Sequence, residues 1–239
     1  MKIPNKTLEK KLFKSGYRYV FGVDEVGMGC LAGPVVVCAV RVTKDFYKKI
    51  HPALRGLRES KLLSSAQREK FAKELMKEKD FAYAVSWASP KVIDKINIYQ
   101  ASKLAMFRAV RKIGGVARVG TPVTRRQQSS ISGVMRGRPP TSPISKTIVL
   151  VDGNTKIKGV DYDQMPIVKG DRKIFVIACA SIIAKVHRDK IMTKYAKKYP
   201  NYGFEKHKGY GTKYHQAQLI ALGPCEIHRR SFAPVRKLV

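Results

Sequence analysis

Apolar residues recur along this chain in two periods, and the switches between them predict an alternation of strands and helices. After a basic leader that suits a helix, the stretch YRYVFGVDEVGMGCLAGPVVVCAVRV holds two β-branched runs separated by a glycine-rich turn, the pattern of a hairpin or of two adjacent strands. His51 to Ser65 follows neither period and is expected to be loop. From Ser64, SSAQREKFAKELMKEK sets Phe71, Leu75 and Met76 at helical spacing behind a serine N-cap. FAYAVSWAS then predicts a strand. Ser89-Pro90 opens a further helix, with Val92, Ile93, Ile96, Leu104 and Phe107 continuing one apolar face to Arg111.

The rhythm stops at 113–145. Seventeen of these 33 residues are Gly, Pro, Ser or Thr, five are Arg and none is acidic, which predicts a disordered basic insertion between clear flanking elements. Pro140-Thr-Ser-Pro143 matches a PxxP ligand pattern, a match that a Pro- and Ser-rich stretch also yields by chance. TIVLVDGN is a buried-type strand closed by a turn. Lys169-Gly-Asp171 then opens a long helix running to about Tyr199-Pro200, with Ile174, Ile177, Ala178, Ser181, Ile182 and Val186 on one face. One more helix is expected near 212–222 in a Gly-, Tyr- and His-rich C-terminal part. No internal repeat is present, and the order of elements predicts an α/β layered domain with a mixed sheet.

Composition narrows the partner. Lys and Arg number 48 against 17 Asp and Glu, a formal net charge of +31 on a chain of 239 residues that is 44% hydrophobic. A globular chain with this excess points to a polyanion, because such a charge opposes compaction and exceeds what solubility asks. Cys30, Cys38, Cys179 and Cys225 form neither a Cys-x-x-Cys pair nor a zinc-ligand spacing with His, and are expected to be reduced core thiols. The leader MKIPNKTLEKKLFKSG lacks the apolar stretch of a signal peptide, and no apolar run is long enough to span a membrane. A soluble, cytoplasmic protein is the expectation.

With acids so scarce, their positions are informative. Asp24 and Glu25 follow an apolar strand, Asp152 ends another, and Asp171 starts the long helix. Each alone also suits a turn or a cap. Strands ending at one sheet edge would gather all four, and carboxylates held close cannot all ionise unless a cation neutralises them. Oxygen-only ligands select Mg²⁺ or Mn²⁺, and such a cluster facing a phosphodiester is what a two-metal displacement requires. Asp24 and Glu25 are neighbours in a strand, so they are expected to share a site only if the strand ends or bulges between them.

The turn Gly27-Met28-Gly29-Cys30-Leu31-Ala32 resembles a dinucleotide fingerprint, but a strand follows it where the fingerprint needs a helix. Two glycines can instead bring backbone N–H groups against a sugar or phosphate. The C-terminal GFEKHKGYGTKYH and HRRSF mix cations with aromatic rings, which suits phosphate contact and stacking. His207 and His228 could act as general bases, although phosphate or structural roles fit better without a nucleophile motif beside them.

These residues carry a resemblance that runs nearly from end to end. GVDEVGMGCLAGPVVVCAV, GLRESKLLS, DKINIYQASKLAMFRAV, VLVDGN, VKGDRKIFVIACASIIAKVHRD, YGFEKHKGYGT and HRRSFAPV resemble, in order and roughly in spacing, the blocks of the bacterial type 2 ribonucleases H, ribonuclease HII. The resemblance implies a ribonuclease H-like mixed sheet flanked by helices with a C-terminal helical extension. It divides the chain into a catalytic domain at 1–199 and an extension at 200–239 that completes the substrate cleft. It implies Mg²⁺- or Mn²⁺-dependent hydrolysis of RNA in RNA–DNA hybrids and cutting 5′ of single ribonucleotides in duplex DNA, leaving 3′-hydroxyl and 5′-phosphate ends. Asp24, Glu25, Asp152 and Asp171 would be the metal-binding catalytic acids, the same four singled out above.

By the same resemblance Gly27, Met28 and Gly29 would hold the ribonucleotide 2′-hydroxyl and its phosphates, and Tyr210 would stack on the neighbouring deoxyribose. Ser60, Lys61, Arg229 and Arg230 would contact the backbone or support the cleft. Three departures stand out: Met28 replaces an Arg or Lys, Glu59 replaces an Asp, and 113–145 is longer than the family's connection. The five arginines of that stretch suit added phosphate affinity. The type 3 ribonucleases H carry an extra N-terminal domain, for which about twenty residues before Val23 leave no room. A non-catalytic nucleic-acid-binding protein of the same fold is the alternative from another class, and the retained acids oppose it, since uncompensated acids repel phosphate. A monomer is expected, and the final VRKLV carries no pattern that marks a replication-clamp contact.

Overall fold

In the computed structural model, which describes residues 4–49, 51–114, 135–136 and 146–239, the basic leader forms helix α1 (Thr7–Lys14). The two β-branched runs form β1 (Tyr19–Val26) and β2 (Val35–Thr43), paired antiparallel. A short α2 (Lys44–Lys48) leads into the expected loop, which holds two 3-10 turns. Ser64 then caps α3 (Ser65–Lys77) in a full capping box: its hydroxyl accepts the Gln67 N–H at 3.2 Å while its own N–H donates to Gln67 Oε1 at 2.9 Å. β3 (Phe81–Ala88) follows as predicted.

The helix expected from Ser89 to Arg111 is two helices, α4 (Pro90–Ile96) and α5 (Ile98–Gly114). Asn97 breaks it with φ 63°, and its Oδ1 accepts the Gln100 N–H at 3.0 Å, capping the second helix as it ends the first. Of the expected insertion, 113–114 belong to α5 and β4 (Met135–Arg136) pairs with Tyr83 and Ala84; 115–134 and 137–145, with the PxxP match, lie outside the described residues.

β5 (Thr147–Asp152) is the predicted buried strand, and β6 (Asp163–Ile167) is one the apolar pattern did not announce. The long helix is also divided, into α6 (Gly170–Lys173) and α7 (Phe175–Lys198), because Ile174 is extended and bridges Asn5. α8 (Phe204–His207), α9 (Lys213–Leu222) and α10 (Ala233–Arg236) complete the chain.

The sheet runs β4-β3-β2-β1-β5-β6, antiparallel from β4 to β1 and parallel through β1, β5 and β6. The mixed sheet with helices on both faces is the expected class. On one face Val20, Cys38, Val40 and Leu150 pack against Ile177, Ala178 and Ile182 of α7; on the other Phe21, Val23, Val149 and Val151 meet Ala105, Met106 and Ala109 of α5. Gly22 permits the first contact, since a Cβ there would lie 2.5 Å from the Val176 carbonyl. The C-terminal part seats Tyr202, Phe204 and Ile227 on Ala32, Met192 and Ala196, beside the β1–β2 turn. Among the described residues no helix is long and apolar enough to cross a membrane.

Candidate functional site

Two registers carry four carboxylates to one edge of the sheet. The parallel pair Val23↔Val151 ends the β1–β5 ladder, so the next residues, Asp24 and Asp152, are neighbours just beyond it. The pair Asp152↔Ile167 brings the end of β6 to the same edge. The chain then turns through Lys169, left-handed at φ 57°, and sets Asp171 in the first turn of α6. Gly170 N–H donates to Asp152 Oδ1 at 2.6 Å, fixing that carboxylate against the turn.

β1 neither ends nor bulges between Asp24 and Glu25. The β1–β2 register continues unbroken to Val26↔Val36, so the two acids belong to opposite faces. Asp24 bonds to Ser181 of α7, whereas Glu25 feels Lys103 of α5. Both still act on Asp152, because the β5 side of β1 is open past Val23. The site therefore wraps the end of the sheet from two sides.

Its electrostatics are those of crowded acids. Burial, then Glu25 and Asp152, raises the Asp24 carboxyl well above its usual range, against a hydrogen bond from Ser181. Burial and then Asp152 push Glu25 up to about 7, with the Lys103 charge opposing. Asp171 is raised by burial, Asp152 and Glu59, and lowered by Lys61 and Arg172. Glu25 Oε2 is buried without a hydrogen-bond partner. Oxygen donors only, an orphaned carboxylate oxygen and mutual repulsion all suit a hard divalent cation. The acids adjoin without converging: among the described residues no three Asp, Glu, His or Cys side chains are gathered as a finished metal site.

Beside the acids lies the Gly27–Gly29 turn, and two buried arginines hold it. Arg229 donates to the carbonyls of Gly27 at 2.7 Å, Met28 at 2.9 Å and Gly33 at 3.0 Å. Arg188 donates to those of Pro34, Lys208 and Ala32. Gly27 takes φ 100°, and a Cβ there would strike the Arg188 side chain, so both backbone and space demand glycine. Arg229 is fully buried with its guanidinium on those carbonyls, while Arg230 is exposed. Gly29 is exposed, and Met28 lies half-buried against the cluster of Val35, Ala88, Ile93 and Ala101.

Ser60 is buried, its hydroxyl 2.9 Å from that of Ser181, and so supports Asp24 at one remove; Lys61 beside it is exposed. Glu59 grips the Arg172 guanidinium with both oxygens, at 2.8 and 3.1 Å, tying its loop to α6. Tyr210 is 40% exposed next to the turn, bridged to Cys30 by backbone and by its phenol, with Arg188 and Lys185 about 6 Å from its ring. Both nitrogens of His207 are engaged, with the Tyr202 carbonyl and the Gly209 N–H, and both of His228 are engaged too, which makes these rings structural. The sequence reading missed Ser181, Arg188 and Lys103. A serine and an arginine seven residues apart, two turns along one face of α7, were the available signal for the first two.

The family model for ribonuclease HII matches residues 21–235, the span that holds every one of these side chains. The chain belongs to the ribonuclease HII family. It is an endoribonuclease, a hydrolase. The ribonuclease HII of Caldicellulosiruptor bescii is 44% identical over 225 residues, covering 94% of this chain and 91% of that protein. The ribonuclease H2 structure from Pyrococcus horikoshii OT3 superposes with a TM-score of 0.66 over 92% of this chain and 96% of that one, at 24% identity. Bst-RNase HIII, solved in complex with Mn²⁺, gives a TM-score of 0.63 at 19% identity over 95% of this chain and 71% of that one, so types 2 and 3 share this fold.

Proposed function

We propose that this member of the ribonuclease HII family is a Mg²⁺- or Mn²⁺-dependent endonuclease that cuts RNA in RNA–DNA hybrids and 5′ of single ribonucleotides in duplex DNA, leaving 3′-hydroxyl and 5′-phosphate ends. The observation that carries the proposal is the parallel register that makes Asp24 and Asp152 neighbours, with Asp171 and the orphaned Glu25 oxygen beside them. Asp24, Glu25, Asp152 and Asp171 would hold the metal. Bound there, a divalent ion supplies an activated water and neutralises charge on the phosphate and leaving oxygen.

The remaining roles fall to the surrounding chain. The N–H groups of Gly27 and Gly29 hold the ribonucleotide 2′-hydroxyl and phosphate, in a turn stiffened from behind by Arg188 and Arg229. Met28 contributes no cation, so recognition there rests on the backbone. Tyr210 offers its ring to the next deoxyribose, and exposed Lys61 and Arg230 attract phosphates. Residues 1–199 thus carry the chemistry, and 200–239 complete the cleft. The enzyme works in the cytoplasm on hybrid or ribonucleotide-containing duplexes.

The test is cleavage of a labelled duplex bearing one ribonucleotide, with Mg²⁺, Mn²⁺ or chelator, by the full chain and by Asp24→Asn. A cut on the 5′ side, abolished by chelator and slowed at least about a hundredfold by Asp24→Asn while duplex binding persists, is expected. Equal rates for Asp24→Asn, or cleavage that survives chelation, would refute the metal-dependent assignment.

A further inference from the structure

Tyr210 is held by its main chain as well as its ring, and two histidines outside the acid cluster do the holding. Cys225 N–H donates to His228 Nδ1 at 2.9 Å, which leaves the His228 proton on Nε2. That N–H meets His215 Nε2 at 3.1 Å, and His215 Nδ1–H donates in turn to the Tyr210 carbonyl at 2.9 Å. Each ring has one donor and one acceptor, all satisfied, and the relay runs in one direction only. The Cys225 sulfur also lies 3.2 Å from His228 Nδ1, and the relay as drawn has both rings neutral, since a proton added to His228 Nδ1 would oppose the Cys225 N–H and one added to His215 Nε2 would oppose the His228 N–H.

The surroundings keep it so. His215 and His228 are 0% and 2% exposed. Phe204 meets both rings, Tyr202 meets His228, and His207 stacks on His215 at 4.4 Å. His228 borders a cavity of about 560 Å³ that is otherwise lined by Lys91, Asp94, Glu226 and Arg230, two charges of each sign. Both rings are buried, and the relay ends on the residue whose ring is exposed beside the glycine turn. Tyr210 is also the point where that segment bridges Cys30, so a shift of its backbone moves the turn and the ring together.

We propose that His215 and His228 are positioning residues for substrate discrimination: their relay fixes the Tyr210 backbone, and with it the angle at which the Tyr210 ring meets the sugar beside the ribonucleotide. The inference rests on the assignment of Tyr210 to that sugar. A pair that served stability alone would lower the amount of folded enzyme without altering its choice between substrates.

The experiment compares kcat/KM on a duplex with one ribonucleotide and on a continuous RNA–DNA hybrid for the full chain, His215→Leu, His215→Asn, Tyr210→Ala and the His215→Leu/Tyr210→Ala double variant. Loss of folded enzyme scales both rates and cancels in their ratio. His215→Leu is expected to lower the ratio about five- to tenfold, the worth of one hydrogen bond. His215→Asn, whose amide N–H stands where Nδ1–H did, is expected to recover most of it. The double variant is expected to match Tyr210→Ala alone, because the histidine acts through the tyrosine. A His215→Leu ratio equal to wild type, or losses that multiply in the double variant, overturns the relay while Tyr210→Ala still lowers the ratio. A wild-type ratio in Tyr210→Ala overturns the assignment of Tyr210, and the inference falls with it.

Discussion

Arg229 and Arg230 are adjacent in sequence, yet one is fully buried and the other lies in solvent. The difference comes from the bridge between Ala32 and His228, which turns residue 229 into the loop and leaves residue 230 outside. Burial lowers the Arg229 guanidinium to about 10, still charged at neutral pH, and three loop carbonyls absorb that charge. Arg229→Met keeps much of the volume but strands those carbonyls, so a loss of roughly 3 kcal/mol is expected. In a chain of this size that is a fall in melting temperature of about 6–12 °C. Arg230→Met, at a surface site, should stay within about 0.5 kcal/mol. Thermal unfolding of the two variants side by side decides; equal small shifts would mean that Arg229 does not hold the turn. The motif HRRSF marked both arginines as cationic, but nothing local distinguishes the support from the exposed charge.

Among elements, what could be read from the sequence is what local periodicity and caps determine. The β1–β2 hairpin, α3 behind Ser64 and β3 follow from residues within one turn or one strand of each other. The division of α6 from α7 does not, because its cause is Asn5: the Asn5 N–H donates to the Lys173 carbonyl and its own carbonyl accepts the Phe175 N–H, from a segment far away in sequence. β6 is five residues with Pro166 at the sheet edge, too short and too polar to show a period. The four acids were legible because scarcity made them conspicuous, whereas their partners Ser181 and Lys103 depend on how α7 and α5 pack. The histidines of the C-terminal part give an element-scale prediction. Burial lowers both His215 and His228 from 6.5 to about 4, so between those values the unfolded chain binds more protons than the folded one. Their stabilising contribution is complete above about pH 6.5 and is lost as pH falls toward 4. The urea midpoint is expected to drop between pH 7 and pH 4.5, and amides of 202–229 to lose protection at the lower pH, measured against the intrinsic exchange rate at each pH. His215→Leu/His228→Leu should flatten that pH dependence; an unchanged slope would assign the acid sensitivity to other groups.

At the scale of the whole molecule, a formal net charge of +31 surrounds a site built from carboxylates. In the proposed function the two features would divide the work: the basic surface would draw the duplex in at long range, and the acid cluster, repulsive to phosphate by itself, would confine close approach to the point where a cation can offset it. Affinity should therefore be strongly salt-dependent. Each phosphate neutralised adds about 0.9 to the steepness with which log K falls against log salt. Arg118, Arg125 and Arg126 belong to a stretch of sequence that holds no acid, between α5 and β4. If all three meet phosphates, Arg118→Gln/Arg125→Gln/Arg126→Gln should lower the slope by up to about 2.7, and by about 0.9 if one does. Binding of a fluorescent duplex in chelator, titrated over salt for the full chain and the triple variant, reads this without cleavage. The intercepts should converge at high salt, where counterion release no longer favours either protein. Identical slopes would show that this basic stretch adds charge to the chain without meeting phosphate, and that the salt dependence arises from the rest of the chain.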